Sequence, residues 1–153
     1  MPQIIEETEI DSDIETCFNL ARDVDFYKQS VKNNSEIPVN GKIAGLVEQG
    51  DFTTWETNHL GFMQHLTLKV SELSKPFLFV DEMTEGAFRA YRHDHIFKEQ
   101  NGKTIMIDKL FFASKYGILG KIVDNLVLKK HIKAVMISRN EILKQKAEEL
   151  SKQ

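Results

Sequence analysis

The longest apolar pattern in the chain lies near its C-terminal end, in residues 116–150. Apolar residues recur there at intervals of three and four, the period of an α-helix with one buried face. No proline interrupts the run, and at about 1.5 Å per residue a helix of this length would extend roughly 50 Å. We predict a kink near residues 128–131, where cationic side chains narrow the apolar stripe. The stripe is interpreted as core-facing, which makes the helix a rod that strands can wrap around.

The N-terminal part begins with the pattern of a strand and then changes to helical spacing. Residues 3–10 are predicted to form a strand. Ser12 and Glu15 have the spacing of a capping box, in which each side chain bonds a free backbone N–H group at the start of a helix. Apolar residues at i, i+3, i+4 and i+7 follow, and they place Cys17 on the buried face of that helix as inert core. A second short helix is predicted around residues 24–27.

From residue 36 onward the apolar period changes to two, and glycines separate the runs, which predicts a series of antiparallel strands. A short or edge strand is predicted at residues 37–40, and a long strand at residues 51–59. A tight turn at residues 60–61 would begin the return strand, and the shared face would be mostly apolar. The predicted cross-strand pairs are His59 with Phe62, Thr57 with Gln64, Trp55 with Leu66 and Thr53 with Leu68.

The register of the last two strands follows from the dipeptide Asn101-Gly102. Both central residues of a type I′ turn need positive φ, which makes Asn-Gly the strongest short hairpin signal. One face of this hairpin is the more apolar, so it should face the long helix. The other face would carry a cross-strand ion pair between Asp94 and Lys109. The pairs predicted on the inward face are Phe97 with Met106, His95 with Asp108, His93 with Leu110 and Tyr91 with Phe112.

An inward Asp108 needs an explanation, because a buried carboxylate without a partner is expensive. One interpretation is a satisfied pair of His95 and Asp108 that only fixes the strand register. A second is a polar spot in an apolar cavity, able to orient a hydroxyl or carbonyl group of a ligand. A third is a metal site made of His93, His95 and Asp108, but three donors on one sheet face are a weak metal signal.

Composition limits the classes of function that the chain can have. The 153 residues are 41% hydrophobic and 28% charged, which is typical of one globular domain spanning residues 1–153. The net charge of −3 does not favour a nucleic-acid partner. A single cysteine excludes an internal disulfide, and no run is long and apolar enough for a membrane span. The first residues lack the features of a signal peptide, so a cytoplasmic location is expected.

The predicted order is a strand, two short helices, a run of antiparallel strands and one long C-terminal helix. This order resembles the helix-grip fold of the START-like (SRPBCC) superfamily, which includes the birch pollen allergen and polyketide cyclases. The resemblance is greatest to a bacterial branch labelled cell-division-inhibitor-like, although that branch favours a proline where this chain has Lys115-Tyr116. The resemblance rests on Trp55-Glu56 with His59 and Gly61, Asp81-Glu82-Met83 before Gly86-Ala87-Phe88, His93-Asp94-His95 with Phe97, and Met106 and Asp108 before Tyr116-Gly117.

The resemblance implies an α+β fold in which a curved antiparallel sheet of six to seven strands wraps around the C-terminal helix. It also implies a cavity between sheet and helix for a small hydrophobic or amphipathic ligand of lipid, isoprenoid or aromatic type. Such a pocket has an apolar lining with a few convergent polar groups. No cofactor, metal or catalytic residue is predicted, and the oligomeric state is left open. The predicted ligand-binding residues are Trp55, Gln64, Leu66, Tyr91, His93, His95, Phe97, Met106, Asp108 and Met136.

Two other classes of function compete with ligand binding. A cyclase or hydratase of this fold could use His95, oriented by Asp108, as a general base. An interaction module without a small ligand could present the far end of the C-terminal helix to a partner protein. Ligand binding is favoured over both, because the inward polar residues are few and no nucleophile with its base can be assembled.

Overall fold

The computed structural model describes residues 3–31, 35–59, 61–115 and 127–153. The predicted order of elements is confirmed, with seven strands and two short helices before the long helix. The first part of the predicted helix, residues 116–126, lies outside the described residues. The elements are β1 (Gln3–Ile10), α1 (Ile14–Ala21), α2 (Val24–Ser30), β2 (Glu36–Gly41), β3 (Phe52–His59), β4 (Phe62–Ser74), β5 (Leu78–Glu85), β6 (Phe88–Gln100), β7 (Lys103–Ser114) and α3 (Lys129–Ser151).

All seven strands form one curved antiparallel sheet in the order β1-β7-β6-β5-β4-β3-β2. Helix α3 packs against β1, α1 and α2. Its buried residues follow a four-three-four spacing, which keeps them on one face of the helix. These residues are Met136, Asn140, Leu143 and Ala147. Within the described ranges, no helix has the length and apolar content needed to cross a bilayer.

The predicted hairpin registers are confirmed. Asn101 has φ 52° and Gly102 φ 78°, as a type I′ turn requires, and the β6–β7 pairing follows the predicted register from this turn to Tyr91 opposite Phe112. A β-bulge then shifts the register between Phe88 and Ala90. The β3–β4 hairpin also has its predicted register, with Trp55 opposite Leu66 and Thr57 opposite Gln64.

The predicted ion pair between Asp94 and Lys109 is wrong. The two residues are opposite each other across the strands, but Asp94 Oδ1 lies 2.7 Å from Nε of Arg92. Arg92 is two residues away on the same strand, so the two side chains share a face of the sheet. The Arg92 side chain extends along that face, and its guanidinium pairs with the Asp94 carboxylate.

The predicted capping box at the start of α1 is also wrong. The N-cap is Asp13, whose carboxylate accepts hydrogen bonds from the backbone N–H of Thr16 at 3.0 Å and from its hydroxyl at 2.7 Å. Ser12 is instead buried, with a hydroxyl that has no hydrogen-bond partner among the described atoms. Serine and aspartate both cap helices well, and here the aspartate lies one residue closer to the first turn.

The core has two parts on the helix-facing side of the sheet. The larger part surrounds Phe18 of α1, whose ring packs edge-on against Phe79 at 5.6 Å and Phe97 at 5.4 Å. The smaller part joins β1 and β7 to α3. Cys17 is fully buried as predicted, and burial raises the pKa of its thiol to about 11. Between these parts, the sheet directs polar side chains inward.

Candidate functional site

The candidate site is built on the inward face of β6 and β7. His93 and His95 alternate with outward residues on β6, and Asp108 lies opposite His95 on β7. All three side chains are buried, and Asp108 is only 1% exposed. The predicted inward orientation of this polar group is therefore confirmed.

Asp108 is held by donors from two elements. Its Oδ1 lies 2.8 Å from Nε2 of His93, and its Oδ2 accepts a hydrogen bond of 2.7 Å from Nδ2 of Asn140 on α3. His95 Nδ1 lies 3.4 Å from the same Oδ1. The closer histidine partner is thus the diagonal neighbour on the strand, whereas the sequence pattern had favoured the residue directly opposite.

His95 lies between two carboxylates and two rings. Its Nε2 is 3.0 Å from Oδ2 of Asp81 on β5, while its Nδ1 faces Asp108. Its ring stacks on Phe79 at 4.0 Å and on His93 at 3.7 Å between centroids. This arrangement suits an imidazolium, which has an N–H donor on both nitrogens and interacts favourably with an aromatic face.

The two histidines differ in their protonation. Burial, together with the neighbouring charge on His95, lowers the pKa of His93 to about 4. Burial also opposes charge on His95, but its hydrogen bonds to Asp108 and Asp81 outweigh this effect and raise its pKa. Burial would raise the pKa of Asp108, but the bonds from His93 and His95 hold it well below its usual range. The network therefore combines an anionic Asp108 and a neutral His93 with a His95 that favours its charged form.

This geometry bears on the chemistry that the histidines could perform. Both nitrogens of His95 already face carboxylates, so neither offers a free lone pair to take a proton from a bound molecule. The metal-ligating atoms of His93, His95 and Asp108 lie within 4.8 Å of one another. However, His93 Nε2 and His95 Nδ1 both approach Oδ1 of Asp108, at 2.8 and 3.4 Å, so the carboxylate oxygen itself occupies the point at which these two nitrogens converge.

A small cavity lies beside this network, between the helices and the sheet. Its volume is about 20 Å³, which is enough for roughly one water molecule. The lining combines apolar side chains with polar groups that converge from α2, α3 and the sheet. The lining residues are Leu20, Ala21, Phe26, Tyr27, Ser30, His95, Met106, Asp108, Arg139, Asn140 and Leu143.

Arg139 and Tyr27 form a second polar pair at this cavity. The guanidinium of Arg139 lies over the Tyr27 ring, 4.6 Å from its centroid, and the Tyr27 hydroxyl donates to Oε1 of Glu36 at 3.0 Å. Burial and the nearby Glu36 raise the Tyr27 pKa, so the hydroxyl keeps its proton. The Tyr27 ring also packs 4.7 Å from the ring of Trp55, which connects the cavity to the single tryptophan of the chain.

The predicted ligand-binding residues fall into three groups. His95, Met106 and Asp108 line the cavity. Gln64 lies on the same face of β4 as Leu66, as predicted, but it is exposed because it is close to the turn that joins β3 to β4. The others are buried or partly buried in the surrounding core without lining this cavity: Trp55, Leu66, Tyr91, His93, Phe97 and Met136.

Most residues of the site were not predicted from the sequence, among them Tyr27, Asp81, Arg139 and Asn140. Asn140 had a recognisable signal, because it is a polar residue four positions after Met136 on the apolar face of α3. Asp81 and Arg139 had none, since ordinary surface acids and bases have the same local pattern. Their roles depend on contacts between elements that are distant in the sequence.

No family model matches the sequence, and no curated protein matches it. Solved structures do resemble the chain. The protein TTHA0849 from Thermus thermophilus has a TM-score of 0.75 and 19% identity, and the match covers 98% of this chain and 99% of that one. A START superfamily protein from Mycobacterium smegmatis has a TM-score of 0.70 and 14% identity, with coverage of 97% and 98%.

A third similar structure is the di-domain ARO/CYC StfQ from the steffimycin biosynthetic pathway. It has a TM-score of 0.77 and 10% identity, and the match covers 99% of this chain but 52% of StfQ, so the chain spans about half its length. Identities this low establish the fold alone. The chain has the helix-grip fold of the START-like superfamily, as predicted.

Proposed function

We propose that the protein binds a small hydrophobic or amphipathic molecule between the sheet and α3. The observation that carries this proposal is the cavity beside Asp108, where apolar side chains meet convergent polar groups. Leu20, Phe26 and Leu143 would contact the apolar body of the ligand, and Arg139 its polar end. The fold shared with START-like proteins supports the same location.

The ligand must displace side chains as well as water, because the cavity holds only about one water molecule. Met106 is suited to this movement, since an unbranched thioether changes rotamer at low cost. We infer that binding enlarges the cavity toward Met106 and the neighbouring core. Of the predicted binding residues, Trp55 and Phe97 would then lie in the wall of the enlarged pocket.

Several narrower assignments belong to the same proposal. The ligand would be of lipid, isoprenoid or aromatic type, and residues 1–153 would form one START-like ligand-binding domain. The chain would belong to the branch labelled cell-division-inhibitor-like and act in the cytoplasm. The net charge of −3 supports a small-molecule partner rather than a nucleic acid.

The experiment is a titration with N-phenyl-1-naphthylamine, an uncharged probe that fluoresces in apolar surroundings. The probe should bind at micromolar concentration and change the emission of Trp55, which packs on the cavity residue Tyr27. Native mass spectrometry of freshly purified protein should also detect a co-purified apolar mass. An unchanged Trp55 emission with no probe fluorescence would contradict the proposal.

A matched pair of variants tests the location of the site. Ala21→Leu adds volume in the cavity wall and should weaken probe binding about tenfold, which is about 1.4 kcal/mol. Ala134→Leu adds the same volume on the exposed face of α3 and should leave the affinity unchanged. Equal effects of the two substitutions would mean that the probe binds elsewhere.

A further inference from the structure

Arg139 is unusual among the polar residues of the cavity. Within the described ranges, its guanidinium packs over the face of the Tyr27 ring and has no acceptor within hydrogen-bond or ion-pair distance. A guanidinium has five N–H donors in a fixed plane. Because Arg139 is only partly buried and lines the cavity, water can satisfy these donors when no ligand is bound.

Arg22 shows how this chain holds an arginine that has a structural role. The residue is 6% exposed, and its guanidinium also packs over an aromatic ring, that of Phe18. In addition, it donates to the Asn19 amide oxygen at 3.1 Å, the Val47 carbonyl at 2.8 Å and the Glu48 carboxylate at 2.9 Å. Arg139 has the same type of ring contact without any of these acceptors, so the contact orients its donors and leaves them available.

The other donors around the cavity are already in use. The Tyr27 hydroxyl donates to Glu36, and the Ser30 hydroxyl donates to the Tyr27 carbonyl at 2.7 Å. Both nitrogens of His95 face carboxylates, and the Asn140 amide donates to Asp108. A ligand oxygen can therefore accept a hydrogen bond from Arg139 without breaking one between described residues, whereas the other donors would have to give up their present acceptors.

The charges around the cavity decide which kind of oxygen fits. The carboxylates of Asp81 and Asp108 both face His95, and the Asp108 carboxylate is also close enough to Arg139 to stabilise its charge. An anionic ligand bound by Arg139 would place a further negative charge beside Asp108. An uncharged acceptor would gain the hydrogen bonds of the guanidinium without the added repulsion.

We propose that the ligand carries an uncharged carbonyl oxygen at its polar end, and that Arg139 binds this oxygen in the cavity beside Asp108. This inference rests on the proposed function, because it specifies the chemical class of the molecule bound there. The ligand would be an apolar, ketone- or ester-type molecule. Arg139 would act as a binding residue that selects the ligand by hydrogen bonding.

The test compares three fluorescent probes of similar size: 2-acetylnaphthalene, 2-ethylnaphthalene and 2-naphthoate. The first two differ in the carbonyl oxygen, and the hydrophobic effect alone would favour the ethyl compound. We expect the parent protein to bind the ketone at least tenfold more tightly than either the hydrocarbon or the carboxylate. The Arg139→Met variant should no longer bind the ketone more tightly than the hydrocarbon. The exposed Arg89→Met variant should still prefer the ketone.

The preference is a ratio measured within each variant, so it does not depend on the fraction of protein that is folded. Equal binding of ketone and hydrocarbon by the parent would overturn the role of Arg139 while leaving a binding cavity in place. Tightest binding of 2-naphthoate would also overturn it and identify the ligand as an acid. If none of the three probes binds, the proposed function itself fails.

Discussion

At the scale of single residues, Asp108 shows how the fold tolerates a buried charge. A carboxylate that is 1% exposed would lose several kcal/mol of hydration without compensation. Here its oxygens accept from His93 and Asn140, and the favoured cation on His95 lies 3.4 Å away. The other ring nitrogen of His95 pairs with the carboxylate of Asp81. Removing any one member leaves another buried polar group without its partner.

We therefore predict that Asp108→Asn lowers the free energy of unfolding by about 3 kcal/mol. An asparagine amide would direct an N–H group toward a donor, either His93 or Asn140, and would leave His95 without one of its two anions. Urea denaturation at pH 7 measures this difference.

Asp94→Asn is the matched control, since that carboxylate pairs with the more exposed Arg92 at the surface. The control should lose less than about 1 kcal/mol. If both variants were equally stable, Asp108 would not be the centre of a buried network.

At the scale of elements, local turn chemistry determined what could be predicted. The β6–β7 register followed from Asn101-Gly102, because the side-chain period of two then places every later residue on a defined face. The start of α1 was predicted one residue too early, because Ser12 and Asp13 are both good caps and the local pattern does not rank them. The Asp94 ion pair failed for a similar reason, since side-chain reach decides between a cross-strand and a same-strand partner.

The turn itself is testable. Gly102→Val should cost about 1 kcal/mol or more, because a β-branched residue resists the positive φ of 78°. No atom lies within 4 Å of a Cβ built at this position, so the cost would come from the backbone conformation rather than from a clash.

Gly102→Asn is the control for this change, because asparagine tolerates the left-handed region and should cost clearly less. Thermal unfolding followed by circular dichroism compares the two variants. Equal melting temperatures for Gly102→Val and the parent would contradict the type I′ geometry.

At the scale of the whole molecule, the candidate site brings together residues from all three described helices and from three strands. The sequence pattern predicted its strand half, because His93, His95 and Asp108 share one face of a hairpin with a defined register. Its helix half could not be predicted in the same way. Arg139 and Asn140 reach the site only because α3 packs across the sheet, and the crossing of a helix over a sheet is set by the packing of the complete core.

This assembly predicts a stability maximum near pH 6.5, the ordinary pKa of histidine. The pKa of His95 is raised in the folded state. Its contribution to the free energy of unfolding is therefore complete below pH 6.5 and is lost as the pH rises through the folded pKa. The pKa of His93 is lowered to about 4, so its contribution is complete above pH 6.5 and is lost as the pH falls toward 4. Protonation of Asp108 lowers the free energy of unfolding further at still lower pH, because its pKa in the folded state lies below its usual range.

The loss from His93 alone between pH 6.5 and 4 should be roughly 3 kcal/mol, at about 1.4 kcal/mol per pH unit. Urea denaturation at intervals from pH 4 to 8.5 measures the profile. His93→Gln cannot titrate and should flatten the profile between pH 6.5 and 4, whereas His65→Gln at an exposed position should leave it unchanged. A parent profile that is flat over this range would contradict the neutral state of His93, and with it the charge balance around Asp108 on which the preference for an uncharged ligand depends.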